Sequence, residues 1–280
     1  MRILLLGEYS NVHWTLAEGL RSLGHKVTVM SNGDYWKNYP RDIDVARRDS
    51  RFGGLSLYIR LLALLPRMRG YDVVRLINPM FLELKAERFF FFYNYLRRHN
   101  GKIVLGAYGM DYYWAYVNAH QKPLRYSDFN IGDTQRNDPT AMKDYNDWVS
   151  TAKERLNKYI AADCDAMVAA LYEYKVTYDH TEFKDKTTFI PLPIKIAHPS
   201  EVPAAKTGVT ADRQDKLRVF VGISRARSSY KGTDIMLRSA QRIAEKWSDR
   251  VELLVAEGLP FEEYKRMYAR ADIILDQLYA

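Results

Sequence analysis

Short apolar runs alternate with longer amphipathic stretches along most of the chain. Ile3 to Leu6 is apolar without a break and closes on Gly7; Val12, Leu16, Leu20 and Leu23 then recur at helical spacing. Gly24 ends that stretch, and Val27 to Met30 forms a second apolar run. Unbroken runs of this length read as strands buried on both faces, and the three-to-four spacing reads as a helix packed on them. Further candidate strands lie at Val73 to Ile77, Ile103 to Gly106, Ala166 to Ala170 and Thr188 to Ile190. Strands separated by helical stretches predict a parallel sheet with helices on its faces.

The opening pattern occurs twice. Met1-Arg-Ile-Leu-Leu-Leu-Gly7 and Lys216-Leu-Arg-Val-Phe-Val-Gly222 share a basic start, an apolar run and a glycine at the strand end. After the second, Met236, Ala240, Ile243 and Trp247 mark a helix from Thr233, and Val251 to Glu257 a further strand. The stretch Pro199 to Asp215, rich in Pro, Ala and charge, reads as a linker. The expected fold class is therefore α/β, with two Rossmann-like, doubly wound parallel lobes. The first spans 1–198, the linker 199–215, and the second begins at 216 and is incomplete at 280, after three candidate strands. Two such lobes facing each other would enclose a cleft, and that cleft is the expected site.

The chemistry is concentrated after Val221. Gly222 is followed by Arg225, Arg227 and Lys231, then Gly232 and Thr233 at the helix start. Fixed cations at a strand's carboxyl end, beside the free N–H groups of a helix, suit phosphate. The order excludes a Walker loop, because Lys231 precedes its glycine, and neither strand end has the three glycines of a dinucleotide fingerprint.

The strand, the loop with Arg225 or Arg227, and the Lys231-Gly232 helix start resemble the diphosphate clamp of family 4 glycosyltransferases, whose fold is called GT-B. Phe189-Ile-Pro-Leu-Pro193 is similar to that family's interdomain hinge, and Tyr268 to Leu278 to its later "ya.ADi..dql" segment. Gly109-Met110-Asp111 stands where the family often has His-Gly-Ser/Thr-Asp, with Tyr108 in place of the histidine. The resemblance implies transfer of a sugar from a nucleotide-diphosphate sugar to a glycan or lipid-linked acceptor, with retention, in surface-polysaccharide assembly. It implies Arg225, Lys231, Arg227, Gly232 and Thr233 as donor contacts, and Gly7 as a cleft-facing turn followed by Glu8, Tyr9, Ser10 and Asn11. Asp111 is then the hydroxyl-orienting acid, Tyr108 a hydrogen-bond donor to sugar, and His13 a further polar contact. The family's later Gly-rich loop and glutamate pair have no counterpart before Ala280, so the sequence is expected to be truncated and the fragment's own competence is in question. Two alternatives stand beside transfer: a sugar-nucleotide epimerase, which needs a base poised over the sugar, and a non-catalytic nucleotide-sugar or polysaccharide-binding module.

Composition sets the remaining bounds. A single cysteine, Cys164, makes a disulfide framework impossible and points to a reducing compartment. No stretch reaches the roughly 18 apolar residues of a spanning helix, so the expected location is cytoplasmic. A net charge of +8 calls for an anionic partner. Nucleic acid is not expected, for want of a recognition motif. Six arginines between Arg47 and Arg69, against Asp49, surround a leucine-rich helix. It reads either as a crossover helix packed on the sheet or as a peripheral contact with the inner face of a membrane. No cofactor or metal is expected: Asp42-Ile-Asp44 lies in a polar connection, and Asp163-Cys-Asp165 precedes its strand instead of ending it.

Overall fold

The computed structural model describes residues 1–196, 216–224 and 228–279. Arg225, Arg227 and the expected linker lie outside the described residues. The chain divides into two compact units, Met1–Arg125 with Phe129–Ile196, and Ala197–Ala280 with Tyr126–Asp128.

Unit 1 alternates strand and helix as its apolar runs predict. Its elements are β1 (Arg2–Leu6), α1 (Val12–Ser22), β2 (Lys26–Ser31), β3 (Ile43–Asp44), α2 (Gly53–Leu64), β4 (Val73–Leu76), α3 (Ala86–His99) and β5 (Lys102–Ala107). There follow α4 (Tyr112–His120), the short hairpin β6 (Asn130–Ile131) and β7 (Thr134–Gln135), α5 (Pro139–Trp148), α6 (Ala152–Asp163), β8 (Ala166–Ala169), α7 (Tyr172–Asp179) and β9 (Thr187–Phe189). Seven strands form one parallel sheet in the order β3-β2-β1-β4-β5-β8-β9. The chain runs outward from β1 to β3, then returns to the other side of β1 as β4. The crevice between the carboxyl ends of β1 and β4 is therefore the topological switch point, where ligands of open α/β sheets bind.

One sheet face packs on the large core built from Leu4, Leu6, Leu57, Leu61, Phe89, Phe92, Leu156 and Ile160, which brings α2, α3 and α6 together. The other carries a smaller cluster in which Ile3, Leu5, Val27 and Val29 meet Ala17 of α1. The central strands are largely apolar because both faces are covered, with Arg75 of β4 a polar exception.

Unit 2 contains β10 (Leu217–Ile223), α8 (Ser228–Lys231), α9 (Thr233–Lys246), β11 (Val251–Glu257), α10 (Phe261–Tyr268) and β12 (Ile273–Leu275). β10 is central, with β11 and β12 parallel on either side. Its core is small: Phe220, Leu254 and Ala256 are buried, with Tyr264 and Met267 packed against them.

Candidate active site

The switch point is built around a glycine that has no substitute. Gly7 leaves β1 with φ +82°, and a Cβ there would sit 2.3 Å from Cγ2 of Ile77. Only glycine lets β1 and the end of β4 close this far. The loop that follows is strained: Ser10 and Asn11 both have positive φ, and so do Asp34 and Tyr35 after β2. The two loops are tied together, since the Ser10 N–H donates to the Asp34 carboxylate at 2.8 Å. Left-handed backbone on non-glycine residues costs about 1–3 kcal/mol each and gathers at functional sites.

Glu8 sits at the foot of this loop, buried. Its two carboxylate oxygens accept the N–H groups of His13 at 3.1 Å and Trp14 at 2.9 Å, so it caps α1 in place of Asn11, whose side chain makes no cap bond. Burial dominates even so, and pushes its pKa up to about 7. It lines a cavity of about 30 Å³ with Gly7, Tyr9, Asn32, Tyr35, Ile77 and Met80 among its walls. That is room for a single water, enough to exchange a proton.

His13 lies on the inner face of α1's first turn and is fully buried. Its Nδ1 donates to the Gly7 carbonyl at 2.8 Å, which leaves Nε2 as a bare acceptor with no partner among the described residues. Burial, with the Arg75 charge, lowers its pKa to about 3, so the ring is neutral at physiological pH. Arg75, in the middle of β4, lies over the Tyr108 ring at 5.1 Å. Burial draws its pKa down to about 10.

At the end of β5, Tyr108 and Asp111 are both buried. Asn78 stitches this loop to the end of β4, its Nδ2 donating to the carbonyls of Met110 at 3.1 Å and Tyr108 at 3.5 Å. Asp111 caps α4 by accepting the Trp114 N–H at 2.7 Å, and its other oxygen accepts the Tyr178 hydroxyl at 2.7 Å. Burial raises its pKa to about 6. The aromatic run after it is helix and packing: Tyr113 meets Tyr178 and Phe183, and Trp114 meets Tyr174.

Gly7, His13, Tyr108 and Asp111 thus gather at the carboxyl ends of β1, β4 and β5. Asp34, Arg75 and Asn78 join them without having been named from the sequence, and Glu8, named there only as part of the loop after Gly7 and given no role, joins them too. Glu8 had one visible signal, an acid directly after the strand-closing glycine. Asn78 had none, since its partners lie 30 and 32 residues away.

In unit 2, Gly232 adopts φ +66° and opens α9, with Thr233 buried behind it. A Cβ on Gly232 would meet Leu278 and Tyr279 at 3.0 Å. Lys231 Nζ donates to Asp276 at 2.6 Å, and the Leu278 N–H to the Lys231 carbonyl at 2.9 Å. The lysine is thus held by an exposed carboxylate. The paired aspartates weighed as metal ligands have other partners: Asp42 takes Arg21 and the Val29 N–H, Asp44 takes Arg41, and Asp163 and Asp165 share Arg97. Among the described residues no helix is long and apolar enough to cross a membrane.

No protein-family profile and no curated protein matches the chain. Solved structures do resemble it. S. aureus MnaA in complex with UDP aligns at TM-score 0.48 and 10% identity, covering 99% of this chain and 69% of that one. A Listeria monocytogenes protein assigned as a UDP-N-acetylglucosamine 2-epimerase aligns at TM-score 0.43 and 10% identity, covering 99% and 68%. The glycosyltransferase expectation is corrected on this finding, which agrees better with the alternative of a sugar-nucleotide epimerase. The likeness is one of fold, and the chemistry has to come from the residues themselves.

Proposed function

We propose that the chain is a sugar-nucleotide epimerase, an enzyme that inverts one carbon of the sugar by moving a proton, with Glu8 as its principal acid–base group. Inversion breaks a C–H bond on one face of the sugar and forms a new one on the other. It needs a group that holds a proton near neutral pH and can also release it. The observation that carries this reading is the pair of buried carboxyls that follow β1 and β5, the strands on either side of β4: Glu8 with pKa about 7 and Asp111 with pKa about 6. Each is fixed by backbone N–H groups of the helix it caps, so each is aimed without a search of rotamers. In this reading Glu8 takes the proton, its water-sized cavity exchanges it, and Asp111 is the counterpart acid.

Taken by itself, unit 2 carries in this reading a phosphate site at the N–H groups that open α9 and at Lys231. Its bridge to the exposed Asp276 is of a kind worth about 0–1 kcal/mol, so a phosphate can take its place at little cost.

Incubation in D2O with UDP, GDP and ADP sugars, followed by proton NMR, tests the chemistry. The expected result is a second epimer carrying deuterium at the inverted carbon, formed at least roughly a hundredfold more slowly by Glu8→Gln. Every donor recovered unchanged and unlabelled would overturn the reading. Calorimetry tests the phosphate end: Lys231→Ala is expected to weaken binding of the matching nucleoside diphosphate about tenfold, in line with a charge-assisted hydrogen bond.

A further inference from the structure

Beside the switch point, a cavity of about 450 Å³ opens between the start of α2 and the start of α3, lined by Tyr35, Arg47, Gly54, Leu55, Glu83, Leu84, Lys85 and Arg88. Three of its walls are cationic. Its one acid, Glu83, accepts the Arg47 backbone N–H at 2.7 Å, while the Arg88 guanidinium rests over the Tyr58 ring at 4.6 Å. Neither α2 nor α3 has a side-chain cap at its start, so the positive ends of both helices add to the same field.

The outer face of α2 leads away from this cavity and is apolar. Leu57 and Leu61 point into the core, but Leu55 and Ile59 are 55% and 58% exposed, and Leu62 continues their line one turn on. Phe52 at the helix start is 67% exposed with Arg51 over its ring, and Trp36, next to the cavity-lining Tyr35, is 80% exposed. Isolated exposed leucines need no explanation, but an apolar stripe edged by Arg47, Arg48, Arg51 and Arg88 does. Nucleic acid would satisfy the cations and leave Leu55, Ile59 and Phe52 in water. An anionic bilayer satisfies both: phosphate headgroups for the cations, and the headgroup–acyl boundary for the stripe and for Trp36.

We propose that this face of unit 1 docks on an anionic lipid surface, with a lipid phosphate seated in the cavity between Arg47, Lys85 and Arg88 and with Leu55, Ile59 and Phe52 entering the acyl boundary. This contact is independent of the epimerase reading, because it is measured as binding and uses none of the residues assigned to proton transfer.

Sedimentation of the full chain with vesicles tests it. Binding is expected to vesicles of phosphatidylcholine with about one third phosphatidylglycerol, to be weak on pure phosphatidylcholine, and to fall as salt rises. Arg47→Gln/Arg88→Gln and Leu55→Ser/Ile59→Ser are each expected to weaken it at least tenfold. Arg98→Gln/Lys26→Gln removes the same charge far from the cavity and should leave binding within about twofold. All six positions are exposed or line the surface, and unchanged melting temperatures confirm that each variant folds. Equal loss in the Arg98/Lys26 variant would reduce the effect to net charge and overturn the site. Loss with Arg47/Arg88 but none with Leu55/Ile59, together with glycerol phosphate competing fully at millimolar concentration, would show a soluble-anion pocket and overturn the lipid assignment.

Discussion

Glu8 is where a single residue says most. Its carboxyl is raised from 4.5 to about 7, chiefly by burial and with a smaller push from Asp34. Between those values the folded chain holds a proton that the unfolded chain has lost, so this group's contribution is complete below pH 4.5 and is lost as pH rises through 7. The magnitude is about 3 kcal/mol. Urea titrations of wild type and Glu8→Gln at pH 5 and pH 7.5 are expected to differ by roughly that amount in their pH dependence, with the variant the flatter. An identical slope would mean that Glu8 is ionised throughout. Gly7 was legible in the sequence as a strand-closing turn, and the structure adds why it must be glycine. Gly7→Ala is expected to cost at least about 2 kcal/mol, because it combines a left-handed φ with a contact against Ile77. The protonation state of Glu8 was not legible, since it is set by residues such as Ile77 and Phe81 that lie some seventy positions along the chain. The bond between Lys231 and Asp276 spans 45 residues and was hidden for the same reason.

At the scale of elements, α2 separates two kinds of leucine-rich surface. Leu61 is fully buried in the large core, and Leu61→Ala is expected to cost about 2–5 kcal/mol in a denaturant melt. Ile59→Ser, two residues away on the outer face, should change stability by no more than about 0.5 kcal/mol. The sequence left this helix open between a packed crossover and a peripheral membrane contact, because its apolar residues occupy both faces; the structure buries Leu57 and Leu61 in the core and leaves Leu55 and Ile59 exposed. Strands were easier to read than helix starts. Ile3 to Leu6, Val27 to Met30 and Ile103 to Leu105 announce themselves because both sheet faces are covered. The start of α4 was harder, because the aromatic run that forms it has no amphipathic spacing; α1 does begin at Val12, where its spacing begins, but its cap, Glu8, lies outside its own first turn.

For the molecule as a whole, the doubly wound parallel sheet of unit 1 followed from alternation alone, and so did the parallel strands of unit 2. What alternation could not give is the difference in how well the two are supported. Unit 1 closes two clusters over seven strands, whereas unit 2 has three strands around Phe220, Leu254 and Ala256, and β12 exposes Ile273 and Ile274. The amides of β10 are therefore expected to exchange with solvent at lower denaturant than those of β1 and β4, as read by native-state hydrogen exchange. Simultaneous loss of protection in both sheets would contradict this.

The bond from Ser10 to Asp34 makes the turns after β1 and β2 a single mechanical part. Each turn is wound the unfavourable way, and each is held there by the other. A substitution that removes the Asp34 carboxylate, such as Asp34→Ala, therefore unlatches two stretches of chain at once, and the slack arrives at the helix start that Glu8 holds. The latch is lopsided: its donor is the backbone N–H of Ser10, which any residue but proline would supply, so the whole corner hangs on the one carboxylate at Asp34.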